Sequence, residues 1–136
     1  MRNKVVVIGI GKLGSAIASN ASLKGDDVIA VDKDPKSFSK LPVTFSGMEQ
    51  EGDVLNSRIL ESLKLRNAKE VTVTTNDDNV NLFVGSAVAK LYEVPTVFVR
   101  LNDVEKSQLI NDKRVKFLFP FSLTFEDYKK KKNKEK

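Results

Sequence analysis

The spacing of hydrophobic and polar positions changes repeatedly along this chain. Lys4–Gly9 (KVVVIG) is a continuous β-branched run without alternation, the pattern of a strand covered on both faces. From Lys12 to Lys24 the period lengthens, with Leu13, Ile17 and Ala21 recurring every fourth residue, which predicts a helix. Val28–Asp32 (VIAVD) reads as a second buried strand, and Asp34-Pro35 opens a turn or short helix. Leu41–Gly47 is predicted irregular around Pro42 and Gly47, and Met48–Gly52 supplies a short third strand. Val54–Leu65 predicts a helix with Leu55, Ile59, Leu60 and Leu63 on one stripe. Glu70–Thr75 is a strand, and Asn79–Leu91 a helix with Val80, Phe83, Val84, Ala87, Val88 and Leu91 aligned. Thr96–Arg100 is a fifth strand, Val104–Asn111 a short helix, and Val115–Phe119 a sixth strand that Pro120 ends. Ser122–Tyr128 begins a last helix.

Strands alternating with helices predict βαβ units and a parallel sheet. Right-handed crossovers favour the doubly wound order 3-2-1-4-5-6. The fold class is therefore α/β, a Rossmann-like doubly wound sheet of about six strands. With 136 residues there is room for one domain. That domain is placed at residues 1–128, with a Lys-rich tail over 129–136 that is predicted to be disordered.

Composition narrows the chemistry. The chain contains neither Cys nor His. Disulfides, thiolate or imidazole zinc sites and Ser-His-Asp or Cys-His catalysis are thereby excluded. The net charge of +5 belongs to the tail: Lys129–Lys136 holds six Lys and one Glu, which leaves residues 1–128 neutral. Such a run reads as a solvated terminus, and no nucleic-acid role is assigned to it. Apolar runs such as Val5–Ile8 fall far short of the ~20 residues a bilayer crossing needs, and a cytoplasmic location is expected.

Gly9-Ile-Gly11-Lys-Leu-Gly14 is a G-x-G-x-x-G placed directly after a strand and opening a helix. Gly9 permits the tight turn, Gly11 lets backbone approach a pyrophosphate, and Gly14 allows close helix–sheet packing. The free amides at the helix start would hold phosphate oxygens. Asp32 ends the second strand at the spacing where a carboxylate meets an adenosine ribose, and it disfavours a 2′-phosphate. Lys12 in the first helical turn opposes the helix dipole; either a bound phosphate removes the conflict, or the side chain points to solvent at a cost of a few tenths of a kcal/mol. Thr74-Thr75-Asn76-Asp77-Asp78-Asn79 follows the fourth strand at the switch point. Asn76, Asp77 or Asp78 can also cap the next helix. Asp53 either caps a helix at Val54 or reaches the adenine edge. Arg100 ends the fifth strand and either approaches a phosphate or pairs with Asp103. Tyr128 and Lys132 satisfy Tyr-x-x-x-Lys, as any Tyr before a Lys run does.

GIGKLG, VIAVD, LPVTFSG, EGD, TTNDDNVN and VRLND occur in the order of the regulator-of-K+-conductance nucleotide-binding domain. From about Lys4 to Pro120 the chain resembles that family, the TrkA-N or KtrA-type subunit of bacterial potassium uptake systems. The resemblance implies a regulatory subunit and not an enzyme, binding NAD(H), ATP, ADP or AMP beneath a membrane K+ channel or transporter. It further implies a homodimer assembling into a ring, as an octamer, peripheral to the inner face of the cell membrane. It assigns Gly9, Gly11, Lys12, Leu13 and Gly14 to the phosphates, Asp32 to the ribose and Asp53 to the adenine region. Thr74, Thr75 and Asn76 would face the phosphates, and Arg100 matches a basic strand-end position. Where many relatives carry Glu after the Pro of the sixth strand, Phe121 stands here. The competing reading is a small NAD-dependent oxidoreductase or its nucleotide-binding fragment.

Overall fold

A computed structural model describes residues 3–134. Its strands are β1 (Lys4–Ile8), β2 (Asp27–Asp32), β3 (Met48–Glu51), β4 (Ala68–Val73), β5 (Thr96–Arg100) and β6 (Val115–Leu118). The helices are α1 (Lys12–Leu23), α2 (Ser57–Ser62), α3 (Asp78–Tyr92) and α4 (Pro120–Lys134). Every strand pairing is parallel, and the order is β3-β2-β1-β4-β5-β6, the doubly wound arrangement predicted.

β1 is apolar throughout because both its faces are covered. Val5 and Val7 pack with Ala18 and Ala21 of α1 and with Val28 and Ala30. Val6 and Ile8 point the other way, into a larger core containing Leu60, Leu63, Val84 and Val88. Each such side chain contributes about 1.5–3 kcal/mol by leaving water. The crossover after β1 runs towards β2 and the one after β4 towards β5, so the direction of winding reverses between β1 and β4. Ligand sites in such sheets form at that reversal, beyond the carboxyl ends of the strands.

The structure departs from the sequence pattern in four places. The helix predicted over Val54–Leu65 shrinks to Ser57–Ser62. Asp53 accepts from the Leu55 N–H and Asn56 from the Arg58 N–H, so two successive side-chain caps delay the first helical turn. Lys64, at φ 54°, ends the segment. Val104–Leu109 is a 3-10 turn capped by Asp103, without a buried residue to extend it.

The buried face of α3 is rotated from the predicted stripe: Asn81, Leu82, Val84, Gly85, Val88 and Ala89 are buried, while Phe83 and Leu91 are exposed. Gly85 lets this face settle against Val99 of β5, where a Cβ would collide with the Val99 side chain. Finally, helix α4 starts at Pro120 and continues through Lys134, across the segment predicted to be disordered; residues 135 and 136 lie outside the described residues. Pro suits a first helical position, Lys is a good helix former, and Lys129–Glu126 (3.0 Å) and Lys131–Asp127 (2.8 Å) bridge successive turns. None of the α4 residues is buried. No helix among the described residues is long and apolar enough to cross a membrane.

Candidate functional site

Register assembles the site. Ile8 pairs with Val31 on one side and with Val73 on the other, so Gly9, Asp32 and Thr74 emerge together at the carboxyl rim. The Gly9 N–H donates to the Val31 carbonyl and the Thr74 N–H to the Ile8 carbonyl, both at 2.8 Å. Here a cavity of about 500 Å³ opens, within the ~300–1,000 Å³ of small-molecule sites. Of the residues that the sequence singled out, Gly9, Gly11, Asp32, Asp53, Thr74, Thr75 and Asn76 line it.

The three glycines do different work. Gly9 has φ +91°, and a Cβ there would lie 2.7 Å from the Thr74 carbonyl oxygen. At Gly14 a Cβ would collide with the Gly9 carbonyl, so this residue seats the helix on the turn. Gly11 has ordinary extended backbone, φ −88° and ψ −158°, and a Cβ there would meet nothing within 4 Å. Neither strain nor packing requires glycine at Gly11. What its bare backbone leaves open is the cavity itself.

Gly11 is also the N-cap of α1, and it offers no side chain to the amides of the first turn. Helices α2 and α3 are capped by Asn56 and Asp77. First-turn amides have no partner within a helix, and the macrodipole places partial positive charge there. An anion is the complementary group.

Across the cavity Asp32 is held in position. Its Oδ2 accepts from the Ile10 N–H (2.8 Å) and its Oδ1 from the Asp34 N–H (2.9 Å). Each oxygen keeps capacity for a further donor, as a pair of ribose hydroxyls would provide. Asp53 does not cap a helix at Val54, because α2 begins at Ser57 with Asn56 as its cap; its carboxylate accepts from the Leu55 N–H at 3.0 Å in the turn before that helix, and the residue lines the cavity. Thr74 is buried, yet its hydroxyl has no hydrogen-bond partner. An orphaned buried hydroxyl on a cavity wall fits a site that takes a polar ligand. Uncapped amides, open space at Gly11, the fixed Asp32 carboxylate and the free Thr74 hydroxyl together suit the phosphate and ribose groups of a nucleotide.

Lys12, Leu13, Gly14 and Arg100 do not line the cavity. Lys12 is exposed, and its carbonyl accepts from the Ser15 hydroxyl. Arg100 gives its carbonyl to Asn81, and its Nε is buried without a hydrogen-bond partner. No bond joins Arg100 to Asp103, whose carboxylate accepts from the Glu105 N–H. The cations that do line the cavity are Lys33 and Lys40, beside Ser37. No periodicity marks these three residues in the sequence, although the Asp34-Pro35 turn signal brings the Pro35–Lys40 3-10 turn to this rim.

Asn81 was also missed. It is wholly buried and carries four hydrogen bonds. Its Oδ1 accepts from the Thr75 N–H (3.0 Å) and Thr75 hydroxyl (2.6 Å), and its Nδ2 donates to the carbonyls of Thr75 (3.0 Å) and Arg100 (2.9 Å). It therefore fixes the loop after β4 to the end of β5. The available signal was an amide three residues ahead of Val84 and seven ahead of Val88, on the stripe that reaches the sheet. Asp78 adds a second clamp, accepting from the Asn102 and Asp103 N–H groups at 2.9 Å. Tyr128 and Lys132 lie on exposed α4 and do not line the cavity.

A family model, the TrkA-N domain, matches residues 5–118. The "Trk system potassium uptake protein TrkA" of Streptomyces coelicolor is 26% identical over 105 residues, 77% of this chain and 47% of that protein. The "Trk system potassium uptake protein TrkA homolog" of Pyrococcus horikoshii is 24% identical over 124 residues, 90% of this chain and 54% of that protein. This chain thus spans about half the length of the curated relatives it matches.

Among solved structures, the TrkA-N domain of the Escherichia coli inner membrane protein ybaL aligns with a TM-score of 0.80 at 11% identity, covering 96% of each chain. The GsuK channel bound to NAD aligns at 0.73 and 24% identity, over 89% of this chain and 21% of that one. The Shewanella denitrificans Kef CTD in its AMP-bound form aligns at 0.66 and 18% identity, over 85% and 71%. With its family match running from β1 to the end of β6, the chain belongs to the TrkA-N family.

Proposed function

We propose that this chain is a regulatory nucleotide-binding subunit of a K+ uptake system and not an enzyme. It binds an adenine nucleotide, NAD(H), ATP, ADP or AMP, and biases a membrane K+ channel or transporter from the cytoplasmic side. The observation that carries this reading is the uncapped start of α1 beside Gly11, with Asp32 held at the same cavity. Membership of the TrkA-N family connects that site to potassium uptake, because the matched relatives are named as Trk system proteins. Neighbours of the same fold have been solved with NAD and with AMP.

The chain acts as a homodimer that assembles into a ring. The Phe121–Phe125–Tyr128 row on α4, exposed in one copy, supports such pairing. Regulation requires that the nucleotide bind two arrangements of this assembly unequally, since equal affinity shifts nothing.

The test is K+ uptake at limiting external K+ in cells lacking the chromosomal gene. Uptake is expected to fall and to return with the wild-type gene, but not with Asp32→Ala expressed at the same level. Uptake that is unchanged by the deletion contradicts the proposal.

A further inference from the structure

The cavity has a charge profile that distinguishes among adenine nucleotides. This inference rests on the nucleotide-binding reading above and goes further, naming the class of ligand. At the end formed by β2 and β3 the wall is mixed: Asp32, Asp34 and Asp53 stand with Lys33 and Lys40. In the middle are Gly9–Gly11 and the uncapped amides of α1, which suit anionic oxygen. At the β4 end are Thr74, Thr75, Asn76, Asp77 and Val80, with one carboxylate and no cation. Lys12 and Arg100, which would have offset that carboxylate, do not line the cavity.

Asp77 uses Oδ1 to accept the Asn79 and Val80 N–H groups that start α3; Oδ2 has no protein donor. The Asp77 side chain is exposed, so Oδ2 is an acceptor open to a ligand. Asn76 is exposed beside it and makes no side-chain hydrogen bond. A further phosphate at this end would meet a carboxylate already in place, and like charges at short range repel. A sugar would instead offer hydroxyl donors to Asp77 and Asn76. The wall therefore reads acceptor, anion site, acceptor, and the matching ligand reads ribose, diphosphate, ribose.

We propose that Asp77 is a specificity-determining residue that selects adenine dinucleotides, whose second half is a ribose, and disfavours nucleoside triphosphates. Asn76 shares the β4 end of the site.

Calorimetric titration of the purified chain in EDTA, with NAD+, ADP-ribose and ATP, tests this directly. ADP-ribose shares both riboses and the diphosphate with NAD+ and lacks the nicotinamide. NAD+ and ADP-ribose are expected to bind at least tenfold more tightly than ATP. Asp77→Asn retains an equally good helix cap; it is expected to narrow the gap severalfold, chiefly by strengthening ATP. Asn76→Lys changes an exposed loop position without touching that cap and is expected to narrow it further. ATP binding as tightly as NAD+, or a ratio that neither variant changes, overturns the selection while leaving nucleotide binding intact. Absence of binding by any of the three overturns the underlying reading as well.

Discussion

The β1–α1–β2 and β4–α3–β5 units meet at the switch point with the same topology and finish their rims in opposite ways. At α3 the chain satisfies itself. Asp77 caps the helix, Asp78 holds Asn102 and Asp103, and buried Asn81 ties Thr75 to Arg100. At α1 the chain stops short: Gly11 supplies no cap, its missing Cβ leaves open space, and Asp32 faces the gap. The self-satisfied rim is a scaffold that fixes one wall of the cavity. The other rim leaves donors that the chain does not complete and a ligand can. Both use the same free amides of a helix start, and the presence or absence of a side chain at the N-cap separates them.

The largest effect should come from dismantling the scaffold. Asn81→Leu removes an amide that satisfies the Thr75 N–H and two carbonyls, and each buried group left unpaired costs about 1–3 kcal/mol. Urea unfolding should show a loss on the order of 3 kcal/mol. A loss below about 1 kcal/mol would mean that the loop does not depend on this clamp.

On the open rim, Asp32→Ala should weaken every adenine nucleotide by about 1–3 kcal/mol, read by calorimetry, since each retains the ribose that this carboxylate is proposed to hold. Gly11→Ser has the sharper signature. Serine would cap α1 in the unliganded protein and occupy the approach that a phosphate needs. The melting temperature should rise by about 1–3 °C while nucleotide affinity falls. A fall in both would show Gly11 to be a packing residue.

The smallest effect lies away from both rims. Asp112 is held at about pKa 2, first by hydrogen bonds from the Arg114 side chain (2.7 and 3.0 Å) and next by one from the Arg114 backbone N–H. Its carboxyl is more acidic folded than unfolded, so its stabilisation is present above the ordinary carboxylate pKa of ~3.9 and is lost as pH falls towards 2. Asp112→Asn should flatten the melting-temperature profile across that window and leave nucleotide binding at neutral pH unchanged.

Much of this was legible in the sequence because it rests on periodicity and on glycine. The buried run of β1, the G-x-G-x-x-G turn and the strand-end Asp32 are local patterns, and each stands where it was expected. What was not legible depends on distance in three dimensions. Phe83 and Leu91 extended the predicted apolar stripe of α3, but Gly85 against Val99 decides which face is buried, and that pairing joins a helix to a strand. Asn81 is polar and so falls outside an apolar stripe, although its partners Thr75 and Arg100 lie at the ends of two strands. Lys33 and Lys40 reach the cavity through an irregular segment without a period to read. The charge of the Lys run alone points to a solvated terminus, while helix propensity and pairs with Glu126 and Asp127 support α4.

The central claim is that the ligand completes α1 and not α3. Nuclear magnetic resonance of the isotopically labelled chain during titration with ADP, which lacks the second ribose proposed to meet Asp77, tests it residue by residue. Amide shifts should concentrate at Gly11–Gly14 and near Asp32, with the amides of Asn79, Val80 and Asn81, which already have acceptors, nearly still. Shifts centred on the start of α3, or saturation without a shift at Gly11–Gly14, would contradict the account.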